Sequence, residues 1–238
     1  MTESRRARRR WVAKLAEPIP EGPNGQPAHP AGSEITLVTP VQVPGVGPVS
    51  VAVPRMSTLI HDAAERHLKK AVRLRAATMA QTRPIRSAPQ SGDRVFSNED
   101  LTHDFFGEAA AGVILAAAAL DNLANELMPW DFVFQDEGSG QARTRVDLER
   151  SAGLELRLSR VASAATNRAN LRTHDPALWS RLMAIKELRD DVAHAKADQA
   201  YALDDGSLLG RLFAADLADF GAAIQEASEH YVGNEMPG

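Results

Sequence analysis

The segment KELRDDVAHAKAD, Lys186 to Asp198, sets Arg189 five positions before His194 in a stretch that otherwise reads as helix. The pair combines a group that exchanges protons near neutrality with a cation that never loses its charge. Asp190 is four residues from His194, shares a helical face with it, and is placed to hydrogen-bond the imidazole and fix its tautomer. Arg189 lies roughly 140° further around the axis in a regular helix, so its side chain diverges from His194. The two converge if the helix ends between them, or if two copies present their motifs across a twofold axis. The competing reading is two polar residues on the wet side of a bundle, the arginine paired with surface acids and the histidine solvated at a helix end.

No other segment offers so complete a set. Cysteine is absent, which removes disulfides, thiolate metal sites and cysteine nucleophiles together. His61, Asp62 and His67 lack a ligand spacing, while His29, His103, His174 and His230 are scattered, so neither metal nor cofactor is expected. His103-Asp104 reads as a helix-start pair. The Pro44-Gly45-Val46-Gly47-Pro48 run lacks the lysine and helix of a phosphate loop, and its prolines remove donor amides. No GxSxG elbow occurs. These absences weigh against ATPase, kinase, Rossmann oxidoreductase and α/β-hydrolase readings.

Charge is divided along the chain. Residues 1–96 hold 15 Lys and Arg against 7 Asp and Glu, whereas residues 97–238 hold 12 against 24. Arg5, Arg6, Arg8, Arg9 and Arg10, with Trp11 beside them, form either an RNA- or DNA-binding arm with a stacking ring or a solvated tail. The basic division equally suits an acidic surface, that of the chain's own body or of a second copy. His61, His67, Lys69, Lys70, Arg73 and Arg75 read as an extension of that track or as an exposed helical face.

The elements that must position these groups read as an all-α fold with one short β-hairpin ahead of it. Apolar residues make up 44% of the chain and aromatics only 5%, so the core is built from Ala, Leu and Val, which suits closely spaced helices. Residues 1–33 read as a basic, proline-rich flexible arm, and 34–54 as a valine-rich hairpin that its prolines confine to an edge. A helix and loop follow over 55–96, with Ser57 as a cap and a stripe of Leu59, Ala63, His67, Lys70 and Leu74. Ser97-Asn98-Glu99-Asp100 starts a long helix to about Met128, whose Ala109 to Leu120 run is too short for a membrane span and reads as buried core. Trp130, Phe132 and Phe134 form an aromatic loop that reads as core plug or dimer contact. Further helices are expected over Asp147 to Thr166, from Asp175-Pro176 with a stripe of Leu178, Leu182, Ile185, Leu188 and Val192, and over Ser207 to Tyr231. The basic start runs into Pro18, Pro20 and Pro23 before any apolar stretch of signal length, so a cytoplasmic protein without a membrane segment is expected.

Leu188-Arg189-Asp190-Asp191-Val192-Ala193-His194 resembles the motif of the HEPN superfamily of small α-helical bundles: an arginine, a polar residue, a short spacer and a histidine. The likeness extends to ALDNLANEL at Ala119 to Leu127, the leucine-bearing helix after Asp147 and the helix from Asp175 with Trp179, and covers about residues 97–232. It implies an up-and-down helical bundle over 97–238, acting as a homodimeric, metal-independent endoribonuclease in a toxin–antitoxin or phage-defence setting, with an antitoxin or regulatory protein as a further partner. By motif matching, Arg189 stabilises the phosphate, His194 does acid–base work on the 2′-hydroxyl and 5′-oxygen, and Asp190 orients. Asp121, Asn122 and Glu126, in the family-like stretch, either approach the motif or pair with Arg168 and Arg172. The alternative from a different class is a non-catalytic helical interaction module with a basic N-terminal arm.

Overall fold

The structure is a computed structural model; it describes residues 12–15, 17–21, 28–84, 94–136, 138, 140–194 and 207–232. Arg5 to Arg10 and Trp11 lie outside the described residues, as does 195–206. Within those described, the chain is predominantly helical, with four two-stranded antiparallel β pairs at its margins.

The body is organised around two long helices, α1 (Met56–Ala80) and α2 (Glu99–Glu126). They run antiparallel: Ser57 meets Glu126 at one end and Thr78 meets Leu101 at the other. Between these points a Cβ on Gly112 would lie 2.8 Å from Leu68 Cδ2 and 3.1 Å from its backbone nitrogen, so the helices approach closely where Gly112 has no side chain. The alanine run of α2 is core, with Ala109, Val113, Ala116, Ala117, Ala119 and Leu120 all buried. On α1 the buried positions are Ser57, Ala64, Leu68, Ala71 and Thr78. This face is displaced from the expected stripe, and Leu59 is exposed, because the amphipathic signal of α1 is diluted by alanines on several faces.

Helix α2 is capped by Asn98, whose side chain accepts from the Leu101 N–H at 3.0 Å. Helix α1 is capped across space. Arg55 occupies its N-cap but its side chain does not cap the helix amides, and the Glu126 carboxylate accepts from the Ser57 N–H at 3.0 Å and its hydroxyl at 2.6 Å. Ser57 thus lies inside the first turn and is not itself the cap.

The remaining helices wrap this pair. The expected single helix after Asp147 is divided into α3 (Arg145–Ser151), which begins at a Thr144–Asp147 capping box, and α4 (Leu154–Leu156). A π-helical turn (Arg157–Val161) follows, then α5 (Ala162–Thr166). The division falls at Ala152-Gly153, where the backbone is extended. After α6 (Leu171–His174) comes α7 (Pro176–Ala193), capped by Asp175 and burying Leu178, Leu182, Ile185 and Leu188 as the spacing predicts. The last expected helix is two, α8 (Leu208–Ala214) and α9 (Leu217–Val232). One apolar core joins α1, α2, α4, the π-helical turn and α5 to α9, and a smaller cluster of Met128, Phe134, Leu148 and Val161 lies beyond the end of α2.

The β pairs correct the N-terminal reading in detail. β1 (Val12–Lys14) pairs with β2 (Glu34–Thr36), so the arm and the start of the expected hairpin segment are joined. The valine hairpin is β3 (Val38–Val43) with β4 (Gly47–Ala52), turning through Pro44, Gly45 and Val46. Positive φ at Gly45 (78°) and Gly47 (93°) is what the glycines supply there. β5 (Thr82–Pro84) pairs with β6 (Arg94–Phe96) where a loop was expected. β7 (Val133–Asp136) and β8 (Gln141–Thr144) make the aromatic loop a hairpin with Phe134 buried, so Phe134 acts as a plug.

Candidate functional site

Helix α7 determines where the motif stands. Its apolar stripe faces the core and places Arg189 at the margin of that stripe, half-buried. The helix continues through Ala193. His194 is its C-cap, with φ −116° and ψ 18°, and its backbone N–H donates to the Asp190 carbonyl at 3.0 Å. The helix therefore ends at the histidine and not between histidine and arginine. His194 is exposed, and no hydrogen bond or ion pair among the described residues joins its ring to Arg189. Of the two routes to convergence, pairing of two copies is the one left.

The Asp190 carboxylate faces cations and not the imidazole. One oxygen lies 3.2 Å from Arg189 Nη1 and the other 3.2 Å from Lys186 Nζ. The hydrogen bond that Lys186 donates to the Asp190 carboxylate, followed by that carboxylate's charge, holds the Lys186 ammonium above its usual range. Lys186 also reaches Glu155 at 3.6 Å. Within one chain Asp190 restrains Arg189 and Lys186, while the expected orientation of His194 by its side chain is not formed. The reason is local: lysine at i−4 and the adjacent arginine are charged competitors for the carboxylate.

Beneath Arg189 lies a buried arginine that the sequence reading did not single out. Arg157, only 7% exposed, projects from the π-helical turn into the end of α2. Its Nη2 donates to Asp121 Oδ1 and its Nη1 to Asn125 Oδ1, both at 2.6 Å, while Nε donates to the Ala152 carbonyl at 3.1 Å. The other Asp121 oxygen lies 3.9 Å from Arg189 Nη2. Of the three α2 residues expected near the motif, Asp121 arrives. Asn122 bonds back to the Ala118 carbonyl, and Glu126 belongs to the cap of α1. Neither Arg168 nor Arg172 pairs with them. The available signal for Arg157 was a charge inside the leucine-rich run LELRLSRV; its partners, 32 and 36 residues away, left no local trace.

One turn beyond Asn125, the chain turns a corner at Trp130. The indole is 90% exposed and lies over the Arg145 guanidinium at 4.4 Å from the ring centroid. Arg145 is held by Glu149 at 2.6 Å and by the Met128 carbonyl at 2.8 Å, so one face of the ring is backed and the other open.

The other polar clusters read as fastenings. Arg181 ties α7 to α9 through Asp219 and Glu226, whose hydrogen bonds raise the guanidinium further above its usual range. Asp191 pairs with Arg211, and Arg75 donates to the Phe213 and Ala215 carbonyls at the end of α8. Tyr231 donates its buried hydroxyl to the Leu158 carbonyl of the π-helical turn. His67 and Lys70 share the Glu108 carboxylate, each at 2.7 Å. Among the described residues, no three His, Asp or Glu side chains form a group that could hold a metal ion.

Comparison of the chain with family models, with curated proteins and with solved structures finds no match.

Proposed function

We propose that the chain is a HEPN-like, metal-independent endoribonuclease that works as a homodimer in a toxin–antitoxin or phage-defence setting. The observation carrying this reading is the placement of Arg189 and His194 at the C-terminal end of α7. His194 is exposed where the backbone leaves the helix, and Arg189 is half-buried and, among the described residues, restrained by ion contacts of 3.2 and 3.9 Å. In this reading both are open to a substrate, with the Arg157–Asp121 pair behind Arg189.

In this reading His194 takes the proton of an RNA 2′-hydroxyl, or protonates the departing 5′-oxygen. The 2′-oxygen forms its bond to phosphorus as the P–O5′ bond breaks, giving a 2′,3′-cyclic phosphate and a 5′-hydroxyl. The RNA supplies the nucleophile. Arg189 exchanges its carboxylate contacts for the phosphate and stabilises the charge that grows there. The second copy supplies the facing histidine or arginine that one chain does not bring within reach.

A non-catalytic interaction module is the second reading. It is favoured by the carboxylates of Asp121 and Asp190, which already face Arg189 and oppose an incoming phosphate. Cleavage of total RNA and transfer RNA in excess EDTA separates the two. The nuclease reading expects cyclic-phosphate ends from the native chain and at least about a hundredfold loss in His194→Ala and Arg189→Ala. Equal cleavage by native chain and variants refutes the assignment, and no cleavage by the native chain favours the module.

A further inference from the structure

Two exposed apolar features stand at one end of the molecule, and neither is used by the motif. The first is the valine hairpin. Leu37, Thr39, Val41 and Val43 share a face with Val49, Val51 and Val53 by register, and Leu37, Val41, Val43 and Val51 are all exposed. The second is the corner of Trp130 with exposed Val133 and Val146. The hairpin leads into Arg55 and Ser57, both fastened to Glu126 at the end of α2, and Trp130 follows that same end.

The hairpin's edges are poorly suited to strand addition, each lacking one outward donor. The Val53 N–H to Leu37 carbonyl bond, at 2.9 Å, sets the alternation so that Pro40 and Pro48 fall at outward-facing positions where a donor would be needed. A partner must meet the face. A two-stranded hairpin alone is marginal in water, so the exposed face calls for cover. Residues 35–54 carry no charged side chain, so nothing in the hairpin itself resists apolar contact.

Area decides between modes of pairing. Six residues of two strands present roughly 200 Å² of face. Hairpin on hairpin therefore covers about 400 Å², far below the roughly 1,000 Å² expected of a specific interface. Seating each hairpin on the other copy's Trp130 corner makes two contacts and adds an indole of about 150–250 Å² to each. With Val133 and Val146 the total reaches about 1,000 Å². Donor and acceptor at one end also let a twofold axis close both contacts at once.

We propose that a second copy of this chain is the occupant: the two copies exchange arms, the valine face of each hairpin packing on the Trp130 corner of the other. This does not depend on the ribonuclease reading, and the test needs no activity. The chain has no cysteine, so Val41→Cys and Trp130→Cys can be made singly and mixed. Exchange predicts a disulfide between the two variants on mild oxidation, with little product from either alone. It also predicts a native mass of two chains in sedimentation, and a dimer dissociation constant raised at least about tenfold by Val41→Asp or Trp130→Ser, with the melting temperature unchanged when each chain is diluted to monomer. Self-coupling of Val41→Cys in preference to the mixed product overturns the proposal, as does a monomer at all concentrations or a mass that grows beyond two chains.

Discussion

Replacing Arg157 by methionine tests whether this arginine fastens the end of α2 to the π-helical turn behind the motif. Methionine keeps an unbranched apolar stem and removes four donated hydrogen bonds, to the Asp121 carboxylate and carbonyl, to Asn125 and to the Ala152 carbonyl. A hydrogen bond with a charged partner contributes about 1.5–3 kcal/mol, and a broken buried pair costs more because its partner stays behind. The Asp121 side chain is 32% exposed, so water takes over part of its lost bonding. The net expectation is a loss of about 3 kcal/mol, which for a chain of this length lowers the melting temperature by roughly 6–12 °C. Urea unfolding followed by circular dichroism measures it. A cycle with Asp121→Asn isolates the pair and should give a coupling of at least about 1 kcal/mol. If Arg157→Met falls within about 0.5 kcal/mol of the native chain, or the cycle shows no coupling, the pair is not the fastening described.

Gly112→Ala should destabilise by about 1–3 kcal/mol through overpacking against Leu68, read as a fall in the urea midpoint; an unchanged midpoint would mean the helices can separate at no cost. Asp175→Ala should cost about 1 kcal/mol by removing the cap of α7, with asparagine restoring most of it. Hydrogen bonds from Lys70 and His67 hold the Glu108 carboxyl below the usual carboxylate range. A lowered folded value means that its contribution is present above the unfolded value near 4.5 and is lost as pH falls through the folded one, so the stability gap between native chain and Glu108→Gln should be wide at pH 7 and close at lower pH. A gap that stayed constant through acid titration would contradict this. His194→Ala should leave unfolding unchanged within about 0.5 kcal/mol, because its exposed ring makes no bond among the described residues.

The helices most legible in the sequence are those whose local signals agree. Asp175-Pro176 ahead of Leu178, Leu182, Ile185 and Leu188 defines α7, and Asn98 with Glu99 and Asp100 defines the start of α2. Where local signals are diluted or divided, detail was lost. Alanines on several sides of α1 blurred its buried face, and the breaks at Gly153 and at Ala215-Asp216 divided helices that periodicity alone carried through. The position of the motif at the end of α7 was readable. The partners of its residues were not, because Asp121, Asn125 and Arg157 meet only through the packing of α2 against the π-helical turn. The competition of Lys186 with His194 for Asp190 was visible in the spacing but needed rotamers to decide.

The Glu126 carboxylate stands 69 residues after the Ser57 amide that it receives. During synthesis the first turn of α1 is therefore completed by a group that leaves the ribosome last of all α2, and until then that turn has no side-chain cap. The two helices share one event of closure, so amide protection at Ser57 should appear in refolding together with protection at the far end of α2 and not with the middle of its own helix.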